Sequence, residues 1–196
     1  MKNPILVVLL GAACLSSPLA AFADDDEEKP SAGRVTIVLD VLSAVAVGLE
    51  DPAFGPASAA RIRFEKAVSS SVALWAAPQF RLMAITARTD ESIDAVELAV
   101  GARHFAGGLA PEGYFLGGFA SVGRGSFRVR ERTQDEITDD GKGFTWSLGG
   151  NIGKEWITRG GLSLGLRLDI GISPLSLQEP STGLFFGLGT SLGGVL

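Results

Sequence analysis

The segment from Gly161 to Pro174 alternates apolar residues with small or charged ones without interruption. Leucine or isoleucine occupies every even position from 162 to 172, whereas Arg167 and Asp169 lie among small residues at the odd positions. A period of two places all the apolar side chains on one face of a β-strand, while a helix would scatter them around its circumference. The segment therefore predicts a strand with one apolar face and one charged face.

Eight segments with this period follow one another from Arg34 onward, separated by polar or Gly/Pro-containing breaks. The facing of the fifth segment, near Gly113–Arg130, stays open. Short breaks alternate with longer ones, as in bacterial outer-membrane barrels. We therefore predict an all-β fold, an eight-stranded antiparallel up-and-down transmembrane β-barrel over residues 34–196, with both termini on the periplasmic, short-turn side. The short breaks are 67–70, 106–111 and 158–160, and the long ones are 50–57, 88–92, 128–141 and 176–181.

The N-terminal region has the features of an export signal. Lys2 precedes an apolar run, and Ala21-Phe22-Ala23 forms a small-residue cleavage motif, so we expect residues 1–23 to be removed. Lipidation at Cys14 is disfavoured because Gly11 stands where a lipobox has leucine. Residues 24–33 are acidic and contain proline, which predicts a disordered leader. Cleavage would leave no cysteine, which excludes disulfides and thiolate chemistry.

The polar face decides which side of the barrel faces out. A soluble barrel would have a solvated polar face, but here that face consists mainly of glycine, alanine and serine with balanced charges. The lumen of an eight-stranded barrel is just wide enough to be filled by side chains, so small residues and ion pairs suit it. We predict a structural lumen network formed by Arg61, Arg63, Arg81, Arg103 and Arg167 with Asp40, Glu65, Glu97, Glu155 and Asp169.

Aromatic residues near the strand ends suggest interfacial positions. Tyr114, Trp146 and Trp156 fall on the apolar face and are predicted to form an aromatic girdle at the membrane boundaries. Trp75 has the opposite parity and is expected to pack inside the lumen.

The patterns at Gly101-Ala102-Arg103-His104-Phe105, Gly113–Gly118 and Gly149–Leu164 resemble a family of small bacterial outer-membrane barrels of unknown function. More broadly, the mature chain is similar to OmpA-like and OmpX-like barrels. The resemblance implies an outer-membrane location, contact with outer-membrane lipid and insertion by the outer-membrane assembly machinery. Such barrels commonly end in an aromatic residue, whereas this chain ends in Leu196.

The titratable residues do not suggest an active site. His104 is the only histidine, no serine lies near it in sequence, and the acidic run around Asp139 and Asp140 lacks the ligand spacing of a calcium loop. We therefore expect no catalytic residues, no cofactor and no metal. Removing residues 1–23 takes away only Lys2 among the charges, leaving 16 of the 17 basic residues against 22 acidic ones, which disfavours nucleic-acid binding.

Taken together, these features predict a non-enzymatic outer-membrane barrel with a structural or surface-recognition role. Loops 128–141 and 50–57 would contact an extracellular partner, because binding residues concentrate on loops held by a scaffold. Two alternatives remain open at this point: a soluble periplasmic barrel that encloses an apolar ligand, and a narrow channel. The sequence predicts no oligomeric state.

Overall fold

A computed structural model describes residues 33–48, 54–86, 90–107, 110–130, 137–174, 177 and 182–196. No helix in this part of the chain is long and apolar enough to cross a membrane. The predicted signal peptide and leader lie outside the described residues, apart from Gly33. The chain forms eight strands, β1 Val35–Gly48, β2 Phe54–Ala67, β3 Val72–Thr86, β4 Asp90–Phe105, β5 Gly113–Arg130, β6 Ile137–Ile157, β7 Leu162–Pro174 and β8 Thr182–Val195.

Each strand pairs antiparallel with the next, and β1 pairs with β8 to close the barrel. Closure leaves Asp40 of β1 opposite Arg61 of β2 on one side and opposite Ser191 of β8 on the other. The predicted eight-stranded antiparallel up-and-down barrel is confirmed. We call the end that carries Val35 and Val195 the terminal end, and the opposite end the distal end.

The apolar face of the strands points outward. Leu168 and Ile170 of β7 are 40% and 50% exposed, whereas Arg167 and Asp169 between them are 2% and 3% exposed. The same alternation holds around the barrel: large apolar side chains cover its outside, ten charged side chains are enclosed, and outward-facing charges such as Lys66 and Lys142 lie toward the strand ends. This is the distribution of a transmembrane β-barrel. The soluble alternative required the apolar face to point inward.

The described strands correct the predicted loop lengths at the distal end. The predicted loop 128–141 is too long, because β5 continues to Arg130 and β6 begins at Ile137. Loop 50–57 ends earlier as well, since β2 begins at Phe54, and β4 begins at Asp90 within the predicted break 88–92. Where strands extend beyond a bilayer, both of their faces meet water. The strands still pair there, but the sequence no longer alternates between apolar and polar residues, so the pattern cannot predict where they end.

The facing of β5, which the sequence left open, is settled in the structure. Tyr114, Leu116 and Val122 point outward and are exposed, whereas Phe115 and Phe119 are buried in the lumen. The strand is apolar on both faces because phenylalanine rings fill this sector of the barrel interior. Alternation of polarity therefore could not identify its outward face.

Candidate functional site

The ten charged residues predicted to face the lumen are all buried inside the barrel. Arg63 and Asp40 are fully enclosed, and none of the ten is more than 8% exposed. Their side chains come from six of the eight strands, all except β5 and β8. These are Asp40, Arg61, Arg63, Glu65, Arg81, Glu97, Arg103, Glu155, Arg167 and Asp169.

Arg63 occupies the centre of the network and contacts three carboxylates. Its Nε lies 2.9 Å from Glu65 Oε2, and its terminal nitrogens lie 3.3 Å from Asp40 Oδ2 and 3.2 Å from Glu155 Oε2. Arg63 belongs to β2 and Glu155 to β6, so this contact crosses the lumen. The guanidinium thus links opposite walls of the barrel.

Glu155 receives the largest number of polar contacts. Besides those from Arg63, it accepts hydrogen bonds from Arg103 Nη1 at 3.1 Å, Ser163 Oγ at 2.7 Å and Ser191 Oγ at 3.3 Å. Arg103 Nη1 also lies 3.3 Å from Glu65 Oε2. A buried carboxylate is stable only when its lone pairs are used in this way.

Asp40 is shared by three arginines. Arg61 Nε lies 2.8 Å from Oδ2, and Arg167 Nη1 lies 3.2 Å from Oδ1, in addition to the Arg63 contact. Arg167 also pairs with Asp169 on its own strand, with Nε 2.9 Å from Oδ2. Asp40 and Glu155 therefore join eight of the ten charges into one connected group.

Arg81 and Glu97 form a second, smaller group. Arg81 Nη2 lies 2.7 Å from Glu97 Oε1, while Gln79 Nε2 and Ser121 Oγ donate to Glu97 Oε2 at 2.5 and 2.7 Å. The Ser121 hydroxyl also hydrogen-bonds to that of Ser147 at 2.6 Å. Ser121 lies on β5, whose facing the sequence left open, and the role of both serines as hydrogen-bond partners depends on which strands become neighbours.

Apolar layers enclose the charged groups toward both ends of the barrel. Toward the terminal end, the rings of Phe105 and Phe115 lie with centroids 5.5 Å apart, and the Arg103 guanidinium lies 4.2 Å from the Phe115 centroid. Toward the distal end, Phe119 and Phe185 meet across the lumen with centroids 6.2 Å apart. The sequence did not identify these phenylalanines as lumen residues. The inward-facing glycines opposite them were the available signal, since such bare positions leave space for large rings from neighbouring strands.

Inward-facing glycines make room for these rings. A Cβ atom added to Gly153 would lie 2.7 Å from Phe115 Cζ, and one added to Gly149 would lie equally close to Phe119 Cζ. Phe185 lies over Gly171 in the same manner. The bare positions on the polar face of the strands are thus filled by aromatic rings from neighbouring strands.

A small cavity remains between the charged groups and the distal apolar layer. Its volume is about 40 Å³, and Arg61, Arg81 and Asp169 line it together with Phe119 and Phe185. A space of this size holds only a few water molecules. It is too small for an organic solute.

The three predicted girdle residues lie on the outside of the barrel. Tyr114 is 52% exposed, and Trp146 and Trp156 are partly exposed, while Trp75 is 4% exposed inside the lumen. The Lys154 ammonium lies 4.5 Å from the Tyr114 ring centroid and 5.2 Å from that of Trp156. Aromatic rings beside a cation are typical of a membrane–water boundary.

The side chain of the sole histidine points away from the buried charges. His104 points outward near the terminal end of β4, whereas Arg103 beside it points into the lumen. Ser163 donates its hydroxyl to Glu155, not to a histidine. Among the residues that the structure describes, no three histidine, cysteine, aspartate or glutamate side chains are grouped to hold a metal ion.

Comparisons with known proteins give a likeness of fold. No protein-family model matches the chain, and no curated protein matches its sequence. The attachment invasion locus protein Ail of Yersinia pestis is 10% identical, with 85% of this chain and 100% of that one covered and a TM-score of 0.50. Neisserial surface protein A is 11% identical, with 81% and 97% covered and a TM-score of 0.52. The expected resemblance to small outer-membrane barrels is confirmed at the level of the fold.

Proposed function

We propose that this protein is a non-enzymatic integral barrel of the bacterial outer membrane that serves as a closed scaffold and presents its distal end outside the cell. The observation that carries the proposal is the combination of an apolar outer surface with a lumen filled by paired charges. A bilayer accommodates the first, and the second obstructs the passage of solute through the part of the lumen that the structure describes.

The lumen network supports a structural role instead of a catalytic one. Each of its five carboxylates lies within ion-pair distance of at least one arginine, and Glu155 also binds two serine hydroxyls. Glu155, whose two oxygens both accept hydrogen bonds, is a poor general base, because its lone pairs are already occupied. We assign these residues to fixing the relative positions of the strands.

The apolar layers argue against the channel alternative. An ion moving along the barrel axis would have to pass the Phe105–Phe115 pair, the charged groups and then the Phe119–Phe185 pair. The cavity between them has room only for water. Reconstituted protein should therefore show no conductance steps in planar bilayers, and regular steps that vary with ion concentration would refute a closed scaffold.

A surface-recognition role is supported by the β5–β6 hairpin. β6 residues 148–157 pair with β7, whereas β6 residues 137–147 pair only with β5 in the described register. The hairpin thus extends beyond β7 at the distal end. We propose that it and the segments that join β5 to β6 and β1 to β2 contact an extracellular partner. We also propose that the termini lie in the periplasm, where a signal peptide would deliver them.

Gel mobility tests membrane insertion directly. The chain without residues 1–23 is refolded in detergent micelles and run on a semi-native gel with and without boiling, beside a detergent-free control. We expect a heat-modifiable band only with detergent. A folded, soluble monomer without detergent would refute the proposal.

Cysteine labelling tests the orientation, because residues 24–196 contain no cysteine. Thr133→Cys lies between β5 and β6, and Ser70→Cys lies in the exposed turn between β2 and β3. A membrane-impermeant maleimide should label the first in intact cells and the second only after the outer membrane is opened. The reverse pattern would overturn the assignment of the distal end to the cell exterior.

A further inference from the structure

The outer surface of the barrel carries an unusual group of charges at one place. At the distal ends of β4, β5 and β6, Asp94, Arg124, Arg128, Asp140 and Lys142 occupy outward-facing positions. On the other five strands, the described outward positions at this end hold only apolar or small uncharged residues. The charged sector therefore distinguishes one side of the barrel.

Two of these cations, Arg124 and Lys142, have no anion within ion-pair distance among the described residues. Arg128 has anionic neighbours, because its Nη2 lies 3.8 Å from Asp94 Oδ2 and Asp140 is its cross-strand neighbour. Within the residues that the structure describes, the side chains of Arg124 and Lys142 take part in no hydrogen bond or ion pair. Their charges are available to an anion from outside the protein.

The height of these cations matches the boundary of a bilayer. Arg124 follows Tyr114 by ten residues along β5. At about 3.4 Å per residue and a strand tilt of about 40°, this separation corresponds to about 25 Å along the barrel axis, the height of the apolar band of an outer-membrane barrel. Lys142 lies on the neighbouring strand, opposite Ser126. The cations thus lie at the distal edge of the band whose other edge carries Tyr114 and Lys154.

A shallow groove of about 750 Å³ connects the cations to the apolar surface. Arg124, Lys142 and Asp94 line its distal part, and Phe80, Val96 and Phe144 line its apolar part. Val96 and Phe144 are the cross-strand neighbours of Arg124 on its two sides, 65% and 64% exposed. An acyl chain lying on these side chains would bring its headgroup to the cations.

From this arrangement we propose that the groove binds a phosphate-bearing lipid of the distal leaflet. Arg124 offers a planar pair of N–H donors that matches a phosphate, and Lys142 adds a second positive charge. Arg128 offsets part of the Asp94 charge from 3.8 Å, and the sector as a whole, with three cations and two carboxylates, keeps a net charge of +1. This inference rests on the proposed membrane insertion, since the groove faces lipid only in an inserted barrel.

The test uses the refolded chain in a neutral detergent, with lipid binding counted by native mass spectrometry. Phosphatidic acid and phosphatidylcholine with identical acyl chains are titrated against the wild type, the double variant Arg124→Gln/Lys142→Gln and the control Lys66→Gln. Lys66 is an exposed, outward-facing cation at the terminal end of β2. Each cation near a lipid headgroup contributes about a factor of five in affinity, so the pair should give about thirtyfold.

We expect the wild type and Lys66→Gln to prefer phosphatidic acid by about thirtyfold and the double variant to show no preference. Inorganic phosphate at millimolar concentration should not displace the lipid, because it lacks the acyl chain; displacement would mean that the site recognises free anions. Equal affinity in the double variant would overturn the inference, as would equal loss in Lys66→Gln.

Heat-modifiable mobility of the same samples separates the two proposals. A wild-type barrel that shows the mobility shift without lipid preference refutes only the lipid site, whereas absence of the shift refutes membrane insertion. Should the double variant fail to fold, Arg124→Lys and Arg124→Gln provide the comparison: we expect the lysine variant to retain most of the preference and the glutamine variant to lose most of it.

Discussion

Two leucines on the same strand allow the membrane assignment to be tested by depth alone. Leu162 begins β7 at the terminal end, and Leu168 lies six residues further along; both point outward, with exposures of 44% and 40%. Six residues of a tilted strand correspond to about 15 Å along the barrel axis. If Leu162 lies near the terminal edge of an apolar band about 25 Å tall, Leu168 lies close to its middle.

Arginine at the two positions should therefore have different costs. Leu168→Arg is expected to lower the free energy of unfolding by about 2–4 kcal/mol, and Leu162→Arg by about 0–1 kcal/mol, because the penalty for a charge falls toward the interface. In a water-soluble barrel the two substitutions would replace equally exposed side chains, and each would change stability by about 0.5 kcal/mol or less.

The free energies are measured by guanidinium titration of each variant folded into lipid vesicles, after heat-modifiable mobility has shown that both variants insert. Tryptophan fluorescence follows the transition. A difference of at least about 2 kcal/mol between the two leucines supports the membrane assignment. Equal values, whether both small or both large, would refute the reasoning from depth.

Two further predictions concern the barrel interior. Glu155→Gln leaves Arg63 and Arg103 without one of their carboxylates and should reduce the free energy of unfolding by about 3–5 kcal/mol. The control Glu112→Gln, in the turn before β5, should change it little. Chemical denaturation in vesicles measures both values, and a near-neutral Glu155→Gln would contradict the network. Gly153→Ala places a methyl group against the Leu166 carbonyl oxygen and the Phe115 ring and should cost about 1–3 kcal/mol in the same assay. Gly118→Ala, where the nearest atom to the new Cβ is 3.8 Å away, should be close to neutral. Equal effects would contradict the tight packing at Gly153.

The alternation of residue types was sufficient to predict the strand count and the facing of most strands. The segment at β7 was predicted almost to the residue, because one face meets lipid and the other meets a charged lumen. The same rule could not orient β5, where Phe115 and Phe119 make the inner face apolar as well. It also missed the first residues of β6, since Asp139 and Asp140 belong to a hairpin that extends beyond the expected bilayer.

Composition predicted a lumen with balanced charges, but the partners within it could not be read from the sequence. Arg63 and Glu155 are 92 residues apart, and they meet because barrel closure and the stagger between strands bring β2 and β6 face to face at the same height. The hydrogen bonds from Ser163 and Ser191 to Glu155 arise from the same geometry.

The sequence by itself determined the period of the strands, their number and the side on which charge would be found, because these properties repeat locally along the chain. Only the tertiary structure decided which charges pair, which rings close the lumen and where Arg124 and Lys142 lie together beside Phe144. Those relations depend on the register between neighbouring strands, which is fixed when the barrel closes and every strand has two partners.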